Sequence, residues 1–181
     1  MPVDAASFAE ALRQYAAGVC LLTVRDGIDD VGTTVTSVMS VSVQPPLIAV
    51  SLAAGGYPAE VLAEVGTCAV TVLAAEHAIV ASRFASAGRP SARHLLEGLS
   101  WTRAEGSGAI VLSGGLAALD CRLERLVEAG DHVVALLAIE DVPVPAAAGH
   151  PLLRLRGRFV DETGQPVARA GHGGRDRGMA R

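Results

Sequence analysis

From Leu116 to Leu123 the chain settles into a period of two: Ala117, Leu119, Cys121 and Leu123 alternate with Asp120, Arg122 and Glu124. In an extended backbone successive side chains leave on opposite faces, so this segment has one dry face and one wet face. Such a strand cannot stand alone; it requires neighbours that cover the dry face. The neighbours are legible. Val19–Arg25, Val31–Val43, Leu47–Leu52, Thr67–Leu73 and Pro151–Val160 read as strands, and Val133–Ile139 is apolar enough to be buried on both faces. Asp26-Gly27 and Gly130-Asp131 carry turn chemistry, and Pro45-Pro46 interrupts the ladder because neither residue can donate a backbone hydrogen bond.

Three helices fit between the strands. Asp4 is placed to cap one that runs to about Ala17, with Phe8, Leu12 and Tyr15 on one face. Pro58–Val65 has proline in its first turn and Gly66 after its end. Ala74–Phe84 is the third, followed by a polar loop over Ser86–Arg93. Strands adjacent in sequence and few helices predict a mainly β chain, an antiparallel barrel with peripheral helices rather than a doubly wound sheet. One domain over residues 1–163 and a disordered, Gly- and Arg-rich tail over 164–181 are expected.

Composition bounds the function. Half the residues are apolar but only 3% are aromatic, so the core must be aliphatic. The apolar runs are too short to span a bilayer, and the N-terminus lacks the pattern of a secretory leader. Cys20, Cys68 and Cys121 lie far apart with no paired spacing, which suggests core residues of a reduced, cytoplasmic protein. A net charge of −4 disfavours nucleic acid as a partner.

The motifs for a Rossmann site, a P-loop, a zinc protease and a nucleophile elbow are all missing, and the five histidines are scattered, so no metal is expected. Three features could carry chemistry. Thr33–Ser42 reads TTVTSVMSVS; as one extended strand it would put Thr34, Thr36, Ser40 and Ser42 on one face and Val35, Ser37, Met39, Val41 and Val43 on the other. A row of short hydroxyls suits the polar edge of a flat heteroaromatic ligand, and equally suits an ordinary half-exposed strand. Gly130-Asp131-His132 would set an imidazole at the rim of a buried strand, as a ligand contact or an incidental turn residue. Arg83, Arg89 and Arg93 flank the polar loop, where guanidinium forks could meet a phosphate or simply water.

Taken in order, these pieces resemble the short flavin reductases, the NAD(P)H:flavin oxidoreductases of two-component monooxygenases. The similarity runs from about Phe8 to Phe159. It is carried by Tyr15-Ala-Ala-Gly18-Val19, by Thr33-Thr34-Val35-Thr36-Ser37-Val38 followed by Ser40-Val41-Ser42 and Pro45-Pro46, and by Cys68–Leu73. Arg83-Phe84-Ala85, Gly98–Trp101, Leu119–Leu123, the Gly130-Asp131-His132 turn, Pro151–Leu153 and Gly157–Phe159 complete it.

The resemblance implies an FMN-binding split β-barrel, antiparallel and Greek-key-like, forming a homodimer. It implies FMN or FAD as cofactor, NADH or NADPH as co-substrate, and a flavin-dependent monooxygenase as possible partner. Thr34, Val35, Thr36, Ser37, Ser40 and Ser42 would surround the flavin ring. Ser51, Leu52, Gly55, Gly56 and Tyr57 would lie near the ribityl phosphate, with Arg83 and Phe84 close by, and His132 would meet the nicotinamide. Two departures stand out: Thr36 occupies the position of the family's asparagine, and Ala53–Pro58 replaces a polar, phosphate-gripping stretch. A flavoenzyme acting on a separate organic substrate, or a split barrel without a redox role, is the alternative.

Overall fold

The computed structural model describes residues 3–27, 29–86, 88 and 90–167. It opens with helix α1 (Ala5–Leu12), where the Asp4 carboxylate accepts the amides of Ala6 and Ser7. Strands β1 (Ala17–Gly18), β2 (Cys20–Asp26), β3 (Asp29–Val35), β4 (Val38–Val43) and β5 (Pro46–Ala53) follow. Helix α2 (Tyr57–Val65), strand β6 (Thr67–Val72), a 3₁₀ turn at Ala75–His77 and helices α3 (Ala78–Phe84) and α4 (Ala92–Leu95) come next. The chain ends in β7 (Trp101–Arg103), β8 (Ile110–Leu112), β9 (Ala117–Ala129), β10 (His132–Val144), β11 (Leu153–Leu155) and β12 (Arg158–Val160).

Seven strands form one antiparallel sheet in the order β3-β2-β6-β9-β10-β5-β4. The two outermost strands, β3 and β4, are consecutive in the chain and separated only by Thr36 and Ser37. A sheet whose edges are joined by two residues must curl on itself, which makes this a split barrel. Its interior is aliphatic: Leu22, Val24, Val31, Val35, Val50, Leu52, Val70 and Leu137 pack there, with Leu62 of α2 among them. Strand β2 is buried on both sides because Leu21, with Val19 just ahead of the strand, faces a second cluster with Phe84, Leu96, Ile110 and Leu152. Phe84 is the one aromatic among the largest fully buried side chains, in keeping with the sparse aromatic content.

Several boundaries differ from the sequence reading. Helix α1 stops at Leu12 rather than near Ala17, because Ala17 and Gly18 pair with Arg154 and Leu153 of β11; Phe8, Leu12 and Tyr15 stay exposed. Pro151–Val160 is a hairpin, not one strand: Arg156 and Gly157 both take positive φ at its turn. Ala74–Phe84 divides at His77, whose Nδ1 accepts the Ala74 amide. Helix α4 and strand β8 were not expected. Gly164 to Val167, read as the start of the tail, stay on the fold: Asp161 donates its amide to Gln165 and Val167 donates its own to Phe159. The rest of the expected tail, 168–181, lies outside the described residues. Among the described residues no helix is long and apolar enough to cross a membrane.

Candidate functional site

A cavity of about 470 Å³ opens where the ladder is missing. Strand β5 pairs with β4 only up to Val50, opposite Val38. Beyond that point the Ser51 amide reaches Ser37 O, and Leu52 and Ala53 run on without a β4 partner. Strand β3 diverges from β5 on the other side of the Thr36-Ser37 link. The cavity sits in the resulting V. One wall is Asp29, Val31, Gly32 and Thr33 of β3; the second is Leu52, Ala53, Gly56, Tyr57, Pro58 and Ala59; the third is Gly88, Pro90 and Ser91.

The second wall is built by backbone geometry. Gly55 holds a φ of +66°, which favours glycine, and Gly56 caps α2 in extended conformation without a side-chain bond. The Ala54 amide donates to Asp131 O and the Gly56 amide to Ala53 O. That leaves the Gly55 and Tyr57 amides of this segment for a ligand. The Tyr57 hydroxyl is already engaged, donating to Asp26 at 2.8 Å, and this carboxylate pushes the phenol above its ordinary pKa. The lining is mostly apolar. Among the described residues, Asp29 is the one charged group lining the cavity; its bond with Ser91, aided by Arg93 and His94, holds its carboxyl below the usual range, so it is an anion at neutral pH.

The sequence-predicted residues divide. Leu52, Gly56 and Tyr57 line the cavity, and Gly55 forms the turn beside it. His132 is brought to its border by register: it pairs with Ala53 across β10 and β5. Its Nδ1 lies 2.7 Å from Asp131 Oδ1, and the ring is about half exposed. The hydroxyl row does not form. Its two-residue period assumed an unbroken strand, and the chain breaks twice, at the Thr36-Ser37 link and at a bulge between Ser40 and Ser42. Thr34 turns outward and donates to Ala81 O at 2.7 Å. Val35 packs in the barrel core, Ser42 Oγ accepts the Gln44 amide, and Ser37 and Ser40 are exposed while Thr36 is half-buried, all outside the cavity lining. Thr33, one residue before Thr34, is the hydroxyl of β3 that lines it. Ser51 alternates with Leu52 and so leaves on the opposite face of β5.

The arginines and Phe84 serve the scaffold. Arg83 donates to Leu95 O, joining α3 to α4; Arg93 pairs with the buried Asp30; Arg89 lies outside the described residues. Phe84 is fully buried behind Gly32. The thiols are core groups, as expected: burial pushes Cys20 up to about 12, and Cys68 is raised by its bond with Cys121, directly opposite on β9, and by burial.

The flavin reductase like domain matches residues 12–163. The chain belongs to the flavin reductase-like family. Among relatives, an NADH-dependent FMN reductase, AsuE2, of Streptomyces nodosus subsp. asukaensis is 36% identical over 153 residues, spanning 84% of this chain and 82% of that protein. The reductase component of 4-hydroxyphenylacetate 3-monooxygenase of Thermus thermophilus is 34% identical over 81% of this chain and 89% of its own length. A solved structure of the Streptomyces globisporus C-1027 NADH:FAD oxidoreductase SgcE6, in complex with NAD and FAD fragments, superposes with a TM-score of 0.79 at 29% identity, covering 87% of this chain and 92% of that one. Membership gives this flavin reductase-like chain's cavity a candidate occupant whose fit can be tested. Its volume falls inside the range of small-molecule sites, roughly 300–1,000 Å³. Apolar walls, the Thr33 hydroxyl and two uncommitted amides match a flat ring with a polar edge and an anionic tail.

Proposed function

We propose that this chain is an NAD(P)H-dependent flavin reductase that binds FMN or FAD in the cavity between β3, the β5–α2 turn and Ser91. The observation that carries the reading is the cavity itself, framed by the family's signature strand β3 and bordered by His132. A bound flavin supplies the redox chemistry, taking up hydride from the reduced nicotinamide and carrying it to a partner monooxygenase or to oxygen.

The chain's own part is binding and orientation. Val31, Leu52, Pro58 and Ala59 exclude water from the ring. Thr33 bonds its polar edge. The Gly55 and Tyr57 amides face the ribityl phosphate, and His132 contacts the nicotinamide from the rim. Asp29 places a negative charge at the cavity mouth. This favours flavin as an exchangeable substrate rather than a permanently held group. The surface supports a homodimer: Met39, Val41 and Val43 of the edge strand β4 are 61%, 45% and 88% exposed, an apolar edge that a second copy would cover. Three buried free thiols suit the cytoplasm.

The test is oxidation of NADH by purified protein with added FMN, FAD or riboflavin. Turnover that needs both protein and flavin is expected. A folded protein inert with every flavin would give the lead to a split barrel without a redox role.

A further inference from the structure

Asp29 and Asp30 are consecutive on β3 and therefore leave on opposite faces. Asp29 turns to the cavity mouth and bonds Ser91. Asp30 leaves on the same face as Gly32 and Thr34, away from the barrel interior and under α4 and the β7–β8 hairpin, and its side chain has no exposure at all. Its Oδ2 accepts from Arg93 Nε at 2.6 Å and from Arg103 Nη2 at 2.9 Å, while Oδ1 accepts from Arg103 Nη1 at 2.9 Å. A desolvated carboxylate of this kind is costly to leave short of a partner, so it holds both guanidiniums firmly. The two arginines do different work. Arg103 also donates to Gly108 O and so stays with the β7–β8 hairpin, away from the cavity. Arg93 stands on α4, 46% exposed, and its Asp30 bond ties that short helix to β3.

Helix α4 carries part of the cavity. Ser91 O accepts the Leu95 amide, so Ser91 and α4 shift together, and Pro90 precedes them. The opposite wall is fastened independently, through the Ala54 amide on Asp131 and the Tyr57 hydroxyl on Asp26. The spacing between β3 and the Pro90–Ser91 wall is thus held at two points, the Asp29 bond to Ser91 itself and the Asp30–Arg93 ion pair that anchors the helix behind it.

We propose that Asp30 and Arg93 are a positioning pair that fixes the Ser91 wall against β3 and thereby sets the affinity for flavin. The proposal rests on the reading of this cavity as the flavin site. Neither residue lines the cavity, so their effect passes through Ser91.

The experiment is FMN titration by fluorescence quenching, with steady-state kinetics, on wild type, Arg93→Gln, Arg93→Lys and Asp30→Asn, all at a temperature where circular dichroism shows them folded. Loosening a wall by a fraction of an ångström to about 1 Å predicts an FMN Kd and KM raised about tenfold in Arg93→Gln. The kcat at saturating FMN and the KM for NADH stay at the wild-type values. Arg93→Lys, which keeps the charge, recovers part of the affinity, and Asp30→Asn follows Arg93→Gln if it folds. An unchanged Kd in Arg93→Gln, or a fall in kcat proportional to lost folded protein with Kd constant, overturns the positioning role. Wild type that fails to bind FMN overturns the flavin-site reading instead, and the proposal with it.

Discussion

Gly32→Ala probes how closely the cavity's β3 wall rests on the layer behind it. A Cβ built on Gly32 would lie 2.6 Å from Cε1 and 3.0 Å from Cδ1 of Phe84, and 3.5 Å from the Ala92 Cβ. Carbon atoms in contact settle about 3.5–4.0 Å apart, so the ring must retreat by about 1 Å. It has nowhere easy to go, because Phe84 is fully buried in the cluster with Ala81, Ala92 and Leu96. Overpacking of a dense core costs about 1–3 kcal/mol. The alanine regains about 0.4–1 kcal/mol by stiffening the unfolded chain, since the φ at Gly32 is one that alanine can adopt. The net loss is about 1–2 kcal/mol, a Tm lowered by about 2–8 °C for a chain of this size. Urea and thermal unfolding of Gly32→Ala, Phe84→Leu and the double variant measure it. Leucine lacks the ring edge, so the double variant loses less than the sum of the singles by about 1 kcal/mol. Wild-type stability in Gly32→Ala, or strict additivity in the double variant, would refute the steric argument.

Other outcomes follow from the same geometry. His77 is buried, which lowers its pKa from 6.5, and its Nδ1 must be unprotonated to accept the Ala74 amide. The unfolded chain takes up this proton at higher pH than the folded one, so stability falls as pH drops below about 6.5 and levels off once the folded imidazole is protonated. Urea midpoints across this range show that slope, and His77→Leu flattens it. His132→Ala raises the KM for NADH about 5- to 10-fold, the worth of one hydrogen bond or ring contact, with FMN Kd unchanged; an unaltered KM removes His132 from the nicotinamide. Val41→Arg, placed on the exposed edge strand, yields monomer by light scattering where wild type is a dimer; a wild-type monomer would remove the homodimer.

Much of the scaffold was legible because it rests on local rules. Pro58 and Gly66 bracket α2 as helix-start and helix-stop chemistry demands, and Gly66 takes the left-handed conformation at its end. The Asp131-His132 turn also reached the cavity border, since antiparallel register with β5 places it there. The hydroxyl row failed because period-two reasoning cannot see a two-residue link or a bulge, either of which reverses every later side chain. Asp30 was illegible for another reason. Beside Asp26-Gly27 it looks like one more surface turn residue, and its burial depends on Arg93 and Arg103, 63 and 73 residues away.

The V between β3 and β5 has a consequence for how this site can evolve. Where β5 runs on past the end of β4, its main chain still presents amides and carbonyls in strand spacing, so a ligand lodged there takes the place of a missing strand. Contacts of that kind belong to the main chain and survive almost any change of side chain that spares the backbone path. Ala53–Pro58, whose one polar side-chain group is the Tyr57 hydroxyl already engaged by Asp26, still presents its amides to the cavity. Alanine scanning of this segment will underrate it; substitutions that bend the backbone, at Gly55 above all, will expose its worth.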